Sequence, residues 1–334
     1  MAEHQTSLLR AKNVSVAFKI RGEYITAVSN VDLTVKPGEV YALVGESGSG
    51  KSTLATAMIG LHDPAYTKVT GDIQFETQDL LKLTNEEWPA LRGNVMSMIF
   101  QDPLSALNPL QKIGDQIKEA LMMHDVYPET AYDDRVLDLL NSVGINHPKW
   151  VANEFPHQLS GGMRQRVVIA IAVANKPRLI IADEPTTALD VTIQAQILDL
   201  LKTIQKENSA GILLITHDLG VVAEVADTVG VMYAGQIVEQ APVAKLFEAP
   251  KHPYTRSLLR SIPTLDQQND DLYVIAGSVP SLKKMDHRRD MFLDRIPWID
   301  DDLRQATNVS LNEVSPEHFV RGTAWQTFRF AEEK

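Results

Sequence analysis

Cysteine is absent from the 334-residue sequence. Disulfides and thiolate metal sites are therefore excluded, and the composition is compatible with a reducing compartment. Positive charge is also scarce. The 32 Lys and Arg face 43 Asp and Glu, for a formal net charge of -11. This speaks against nucleic acid as the main partner, because such binders carry a basic balance or a basic stripe. Long apolar runs are missing too. The longest plain one, Val167–Ala174, falls far short of the ~18 residues needed to cross a bilayer. Any membrane association is expected to come through partners. Met1 to Val14 include Glu3, Arg10 and Lys12 and no continuous apolar stretch, so no signal peptide is expected. There is no internal repeat and no low-complexity tract. What is present is 44% hydrophobic residues, enough for a sizeable core in one large domain or one domain plus an extension.

The pattern along the chain predicts alternating strands and helices. Val14, Val16 and Phe18 alternate with Ser15 and Ala17, and Val31, Leu33 and Val35 alternate with Asp32, Thr34 and Lys36, as in short strands. After a Pro37-Gly38 turn, Val40–Val44 is a continuous apolar run, the mark of a strand buried on both faces. Helix-compatible composition follows over Ser52–Leu61. Residues 103–160 look mostly helical and are punctuated by Pro103, Pro109, Pro128, Pro148 and Pro156. Gly161–Ala174 predicts a helix after a glycine pair, Leu179–Ala182 a buried strand, Val191–Lys206 an amphipathic helix, and Ile212–Thr216 another buried strand. Such alternation implies an α/β fold, a parallel sheet with helices on both faces. Val229–Tyr233 and Gln236–Val238 flank Gly235 as in a hairpin. Beyond Pro242 the sequence is polar, proline-spaced and weakly periodic.

Between the strand at 40–44 and the helix that follows it lies Gly45-Glu46-Ser47-Gly48-Ser49-Gly50-Lys51-Ser52-Thr53, which fits G-x-x-x-x-G-K-[ST]. Glycines let the backbone curl so that successive N–H groups face one anion, and the following helix adds its positive end. Lys51 is suited to reach β- and γ-phosphates and Ser52 to ligate Mg²⁺. Average residue frequencies give such a match by chance roughly once in a hundred chains of this length, and the strand–loop–helix context reduces that further. At the end of Leu179–Ala182 stand Asp183 and Glu184. An aspartate at the tip of a neighbouring strand can give Mg²⁺ a second contact. Glu184, directed elsewhere by strand alternation, could hold an attacking water as general base. Alone, such a pair is usually a solvated turn; the phosphate loop reverses the balance.

Leu159-Ser160-Gly161-Gly162-Met163-Arg164-Gln165-Arg166 strongly resembles the signature of ATP-binding-cassette (ABC) proteins, and its serine and glycines at a helix start would make another anion-binding end. The resemblance, which covers about residues 8–240, implies a P-loop NTPase of the ABC-ATPase fold. That means a RecA-like parallel-sheet core, an N-terminal antiparallel β subdomain and an inserted helical subdomain at about 103–165. It implies an ATPase spanning 1–245, with residues 246–334 as a C-terminal extension. Gln101 resembles the Q-loop glutamine, which senses Mg²⁺ and water. Ala188-Leu189-Asp190 resembles the D-loop, and His217 the switch histidine at the γ-phosphate. An aromatic is expected to stack on adenine; Tyr24 is the first choice and Phe18 the rival. The implied partner is a second homologous ATPase, or a copy of this chain, in a head-to-tail dimer that buries two ATP molecules. Ser160, Gly161 and Gly162 would close on the partner's γ-phosphate.

Several ABC ATPases do not transport. Lys51 and Ser160 are too close for the long coiled coil of DNA-repair members. One cassette and no fused membrane helices fit a free-standing subunit that pairs with two membrane permease subunits. Glu248-Ala-Pro-Lys-His252-Pro253-Tyr254-Thr255-Arg-Ser-Leu-Leu259, the loop Gly45–Gly50 and the segment Gln101–Pro109 resemble oligopeptide/dipeptide and nickel importer subunits. The length favours peptides. The resemblance implies a peripheral position on the cytoplasmic face of the membrane and indirect service to an extracytoplasmic substrate-binding protein. Import of nickel or another solute, or a regulatory role without transport, stay open. Many members of this subfamily hold an iron–sulfur cluster on C-terminal cysteines. The corresponding region, Gly277–Pro297 and on to Trp325, has none, and His287 and His318 are too separated to replace them. The purified protein is therefore expected to contain no iron and no acid-labile sulfide; stoichiometric iron on elemental analysis would overturn this.

Overall fold

The computed structural model describes residues 7–124, 126–187, 189–262 and 273–333. Ala188 of the expected D-loop lies outside the described residues. The chain divides into two compact units. No helix among the described residues is long and apolar enough to cross a membrane.

One unit holds Val35–Glu39 and Lys82–Ile215, with the chain up to Leu9. Its strands Met96–Ile99, Leu179–Asp183 and Gly211–Thr216 run parallel, with Leu179–Asp183 in the middle. Every residue of the latter two is buried, which is why they read as unbroken apolar runs. Helices Ile113–Met122 and Tyr132–Ser142 each bury one stripe. Ile113, Ile117 and Leu121 form the first, and Tyr132, Val136, Leu139 and Leu140 the second, at the spacing of an α-helix. Both pack against the helix Gly161–Val173. That helix starts at Gly161 as expected and ends one residue earlier, at Val173. Ser160 is the cap, accepting from Met163 N, and the glycines form the first turn.

The other unit comprises Arg10–Thr34, Val40–Leu81 and Thr216–Lys334. Strands Leu9–Ile20 and Glu23–Val35 flank a two-residue turn, which requires an antiparallel pair. With Thr67–Phe75 and Gln78–Asp79 they form a four-stranded sheet. Val40–Val44 pairs in parallel with Thr228–Tyr233. The expected hairpin is present, since Thr228–Tyr233 pairs antiparallel with Gln236–Pro242. The sheet does not stop there. His318–Arg321 pairs antiparallel with Gln236–Pro242, and Leu311–Ser315 with His318–Arg321. The tail that is weakly periodic in sequence thus supplies two strands. It also supplies Tyr254, Met291, Phe292, Leu293, Ile296, Phe328 and Phe330 to a core shared with Val44, Val231 and Tyr233. Burying each such side chain stabilises by roughly 1.5–3 kcal/mol. Met291, Phe292 and Leu293 sit on one short turn, Met291–Arg295, so no long period betrays them.

The hairpin turn is Ala234-Gly235, with φ of 45° and 83°. Two left-handed residues in a two-residue connection suit the twist of the flanking strands. Gly235 N–H donates to Ser49 O at 2.8 Å, and Gly235 O accepts from Ser29 N–H at 2.8 Å. A Cβ on Gly235 would lie 2.2 Å from Ala27 O. Gly235→Ala is expected to destabilise this unit by roughly 2 kcal/mol or more, from backbone strain and collision together; a drop in the denaturation midpoint checks it.

Candidate functional site

The phosphate loop sits between Val40–Val44, buried throughout, and the helix Lys51–Met58. This helix begins one residue earlier than its composition suggested and ends before Ile59. Gly48 and Gly50 have φ of 80° and 102°, conformations that suit glycine alone among common residues. Gly45 is required for another reason. A Cβ there would stand 2.1 Å from the carbonyl oxygen of Met232. Lys51 is only 5% exposed. Its Nζ donates to Gly45 O at 2.7 Å and Glu46 O at 3.0 Å, with Ser49 Oγ at 3.4 Å. The ammonium is thereby folded back over the loop, desolvated but hydrogen-bonded, as a buried cation must be. Ser47, Gly48 and Ser52 are exposed at the loop surface, and Thr53 is half-buried. His217 is exposed immediately after the strand ending at Thr216. There the Thr216 hydroxyl accepts from Asp218 N–H at 3.0 Å.

Tyr24 lies beside the turn of the first hairpin and is 49% exposed. Phe18 is half-buried and meets His62 edge-on, with centroids 5.5 Å apart. Tyr24 is the more open of the two rings.

The remaining candidate residues belong to the other unit. Asp183 ends its strand as a buried carboxylate. Glu184 leaves the strand with φ of 45°, a conformation that costs a non-glycine residue of order 1 kcal/mol, while its N–H still donates to Ile215 O at 2.9 Å. The two carboxylates therefore diverge through a backbone turn as well as strand alternation. Gln101 Nε2 donates to Glu184 Oε2 at 3.1 Å, and Thr187 Oγ1 donates to the same oxygen at 2.7 Å. Gln101 and Glu184, 83 residues apart in sequence, are thus brought together. Ser160 and Gly161 lie exposed at a helix start. Asp190 caps the helix Val191–Asn208 by accepting from Ile193 N–H at 3.0 Å. Gly162 packs so tightly that a Cβ would fall 2.9 Å from Ile193 Cγ2.

Sequence reasoning missed the support that the tail gives the loop. The Tyr254 hydroxyl accepts from Glu46 N–H at 2.8 Å, and burial pushes its ionisation upward, so the phenol stays neutral. Arg295 forks onto the Glu46 carboxylate at 2.6 and 3.3 Å. Nearby, Glu239 is wholly buried and accepts from Lys251 N–H and His252 N–H, both at 2.8 Å, and pairs with His318 Nε2 at 2.7 Å. His252 Nδ1 accepts from Tyr254 N–H, so Nε2 carries the proton that faces Asp290 Oδ2 at 2.8 Å. His252 also caps the helix Pro253–Arg260, so His252–Tyr254 is a proline-bounded helix start.

Residues 28–187 match the family model for ABC transporters, and residues 238–295 match that for the C-terminal region of oligopeptide/dipeptide transporters. The oligopeptide transport ATP-binding protein OppD of Lactococcus lactis subsp. cremoris is 60% identical over 328 residues, 98% of this chain and 97% of the relative. The chain belongs to the ABC transporter family. OppD of Bacillus subtilis, another relative of this ABC protein, is 51% identical over 280 residues, 83% of this chain and 78% of the relative. Among solved structures, the ABC cassette MJ0796, dimeric and bound to ADP and Pi, has a TM-score of 0.63 at 30% identity, covering 70% of this chain and 98% of that one. CbiO1 of Clostridium perfringens, part of an ABC transporter complex, gives 0.62 at 27% identity, covering 73% and 92%. The chain has the ABC cassette fold and is an ABC-type ATPase subunit.

Proposed function

We propose that this ABC ATPase binds Mg-ATP at Gly45–Thr53 and hydrolyses it to drive uptake of oligopeptides or dipeptides through a membrane transporter. The reading rests above all on the phosphate loop, whose buried Lys51 lies on the loop's own carbonyls at the start of a helix. The peptide class is supported by the 60% identity to OppD of Lactococcus lactis across nearly the whole chain and by the match over residues 238–295.

Lys51 would leave the loop carbonyls and meet the β- and γ-phosphates, and Tyr24 would lie against adenine. The helix start at Ser160, Gly161 and Gly162, exposed at its first two residues, would bind the γ-phosphate held by a second, homologous ATPase or a copy of this chain, with Asp190 near that interface. Contacts made only in the closed pair shift the open–closed equilibrium towards closure. Ser52, Asp183 and Gln101 offer hydroxyl, carboxylate and amide oxygens, an all-oxygen set that suits Mg²⁺. Bound Mg²⁺ would neutralise phosphate charge. Glu184 takes the proton of the water as its oxygen attacks the γ-phosphorus, the bond to the β,γ-bridging oxygen breaks, and ADP leaves with the electron pair. Gln101 and Thr187 hold the Glu184 carboxylate for that step, and His217 and Lys51 stabilise the transferring group. Leu104 and Leu110, 53% and 85% exposed on the segment after Gln101, offer apolar contact to two permease subunits at the cytoplasmic face. An extracytoplasmic binding protein would deliver the peptide.

Glu184→Gln is expected to keep ATP binding, to accumulate the closed dimer on size exclusion with ATP, and to lower turnover by about 10²–10⁴-fold. Full turnover would remove Glu184 from the base role. Lys51→Ala should abolish most nucleotide binding by equilibrium dialysis. In vesicles carrying the purified transporter and its binding protein, peptides should raise ATPase activity; stimulation by nickel ions alone would redirect the substrate class.

A further inference from the structure

An acidic residue inside a phosphate-binding loop is an electrostatic conflict, because its charge repels the polyphosphate that the loop exists to hold. Glu46 is that residue, and its side chain is only partly exposed. Its neutralising partner comes from 249 positions away. Arg295 Nη1 lies 2.6 Å from Glu46 Oε2 and Nη2 3.3 Å from Oε1, a bidentate fork. The guanidinium is fixed from every other side. Nε donates to Ala276 O at 2.6 Å, and Nη2 donates to Ile275 O and Gly277 O, both at 3.2 Å. Its Cζ lies 5.6 and 5.8 Å from the ring centroids of Phe292 and Tyr233. The side chain is 6% exposed. A second support reaches the same residue, where Tyr254 Oη accepts from Glu46 N–H. Main chain and side chain of one loop residue are therefore both held by the C-terminal segment.

We propose that Arg295 is a positioning residue for nucleotide binding, which cancels the charge of Glu46 and holds it aside so that the loop can accept polyphosphate. The proposal rests on ATP binding at residues 45–53. A surface ion pair would contribute little; this one has its cation desolvated and its geometry fixed by three carbonyls. Arg295 touches no reacting atom and acts through Glu46, so its loss should weaken ATP binding more than the chemical step.

The test is ATP affinity of the full chain by isothermal titration calorimetry, with turnover measured alongside. Arg295→Met is expected to raise the ATP Kd about tenfold or more, the range for a charge-assisted bidentate pair, and to raise KM far more than it lowers kcat. Arg295→Lys, which keeps the charge but not the fork, should fall between wild type and Arg295→Met. The decisive variant is Glu46→Gln combined with Arg295→Met. If the conflict is electrostatic, removing the uncompensated carboxylate recovers most of the lost affinity; a purely structural role predicts no recovery. Arg295→Met binding within about twofold of wild type would overturn the proposal, since that falls well short of the tenfold loss expected of a charge-assisted bidentate pair. So would a double variant as weak as Arg295→Met. If Arg295→Met fails to fold, Arg295→Gln, which is also neutral but polar, alone and in the Glu46→Gln background gives the same comparison and decides it. A wild-type chain that binds no ATP would sink the nucleotide reading as well, whereas equal binding by wild type and variants sinks only this one.

Discussion

Everything at the phosphate loop depends on one close approach of backbone to backbone, Gly45 against the carbonyl of Met232. An ideal Cβ at Gly45 would stand 2.1 Å from that oxygen, so the strand Val40–Val44 can hand the chain to the loop at this angle only with glycine there. The parallel pairing of Val44 with Val231 sets the approach. The hairpin turn after Tyr233 then comes back to bond Ser49 O through Gly235 N–H. A cradle of N–H groups binds an anion well only if it is already curved before the anion arrives. Here the curvature is held by neighbours on both sides rather than by the ligand.

Lys51 completes that preorganisation. A buried ammonium without partners is costly, and the loop's own carbonyls supply them. Two weakly charged acceptors can be exchanged for phosphate oxygens of full charge, since hydrogen bonds between ions are about twice as strong as neutral ones. The same logic runs in the other unit, where Gln101 and Thr187 both donate to one oxygen of Glu184. The residues that hold this carboxylate are exchangeable donors, and the left-handed backbone of Glu184 shows where the chain accepts strain to aim it.

The local parts of this arrangement were legible in sequence. Strand, glycine-rich loop and helix follow one another within 20 residues, and each announces itself by period or by apolar run. The signature Ser160–Gly162, Asp183, Glu184, Gln101 and His217 could be found because motif order places them at strand ends and helix starts, and the structure puts them there. The supports were not legible. Tyr254 meets Glu46 across 208 positions and Arg295 across 249, and no periodicity spans such a gap. Tyr254 stood out only as part of a subfamily segment, and Arg295 did not stand out at all. One signal was present: a glutamate within a phosphate loop calls for a cation. Nothing in a linear sequence says which of 32 Lys and Arg answers. The polar tail misled for a related reason. Its core residues come from single turns and from two strands that pair with distant partners, so their pattern has no period to read.

Buried, hydrogen-bonded polar groups of the C-terminal segment explain how Arg295 is held in place. Glu239, His318, His252 and Asp290 are all nearly or wholly inaccessible. Such pairs add modest net stability, because folding exchanges bonds to water for bonds within the protein. They do impose a steep penalty on any arrangement that separates them, as a buried polar group left without its partner costs about 1–3 kcal/mol. Glu239 lies on the strand that pairs with Thr228–Tyr233, and its carboxylate fixes both His252, at the start of the helix bearing Tyr254, and His318, on the added strand. His252 in turn fixes Asp290, whose other oxygen accepts from Phe292 N–H at 3.2 Å at the head of the turn that carries Arg295. A chain of obligatory pairs therefore runs from the sheet to the guanidinium. A purely apolar core of the same volume could slide by small amounts at low cost. A network of this kind cannot, and a residue that must meet one loop carboxylate with two nitrogens needs that rigidity.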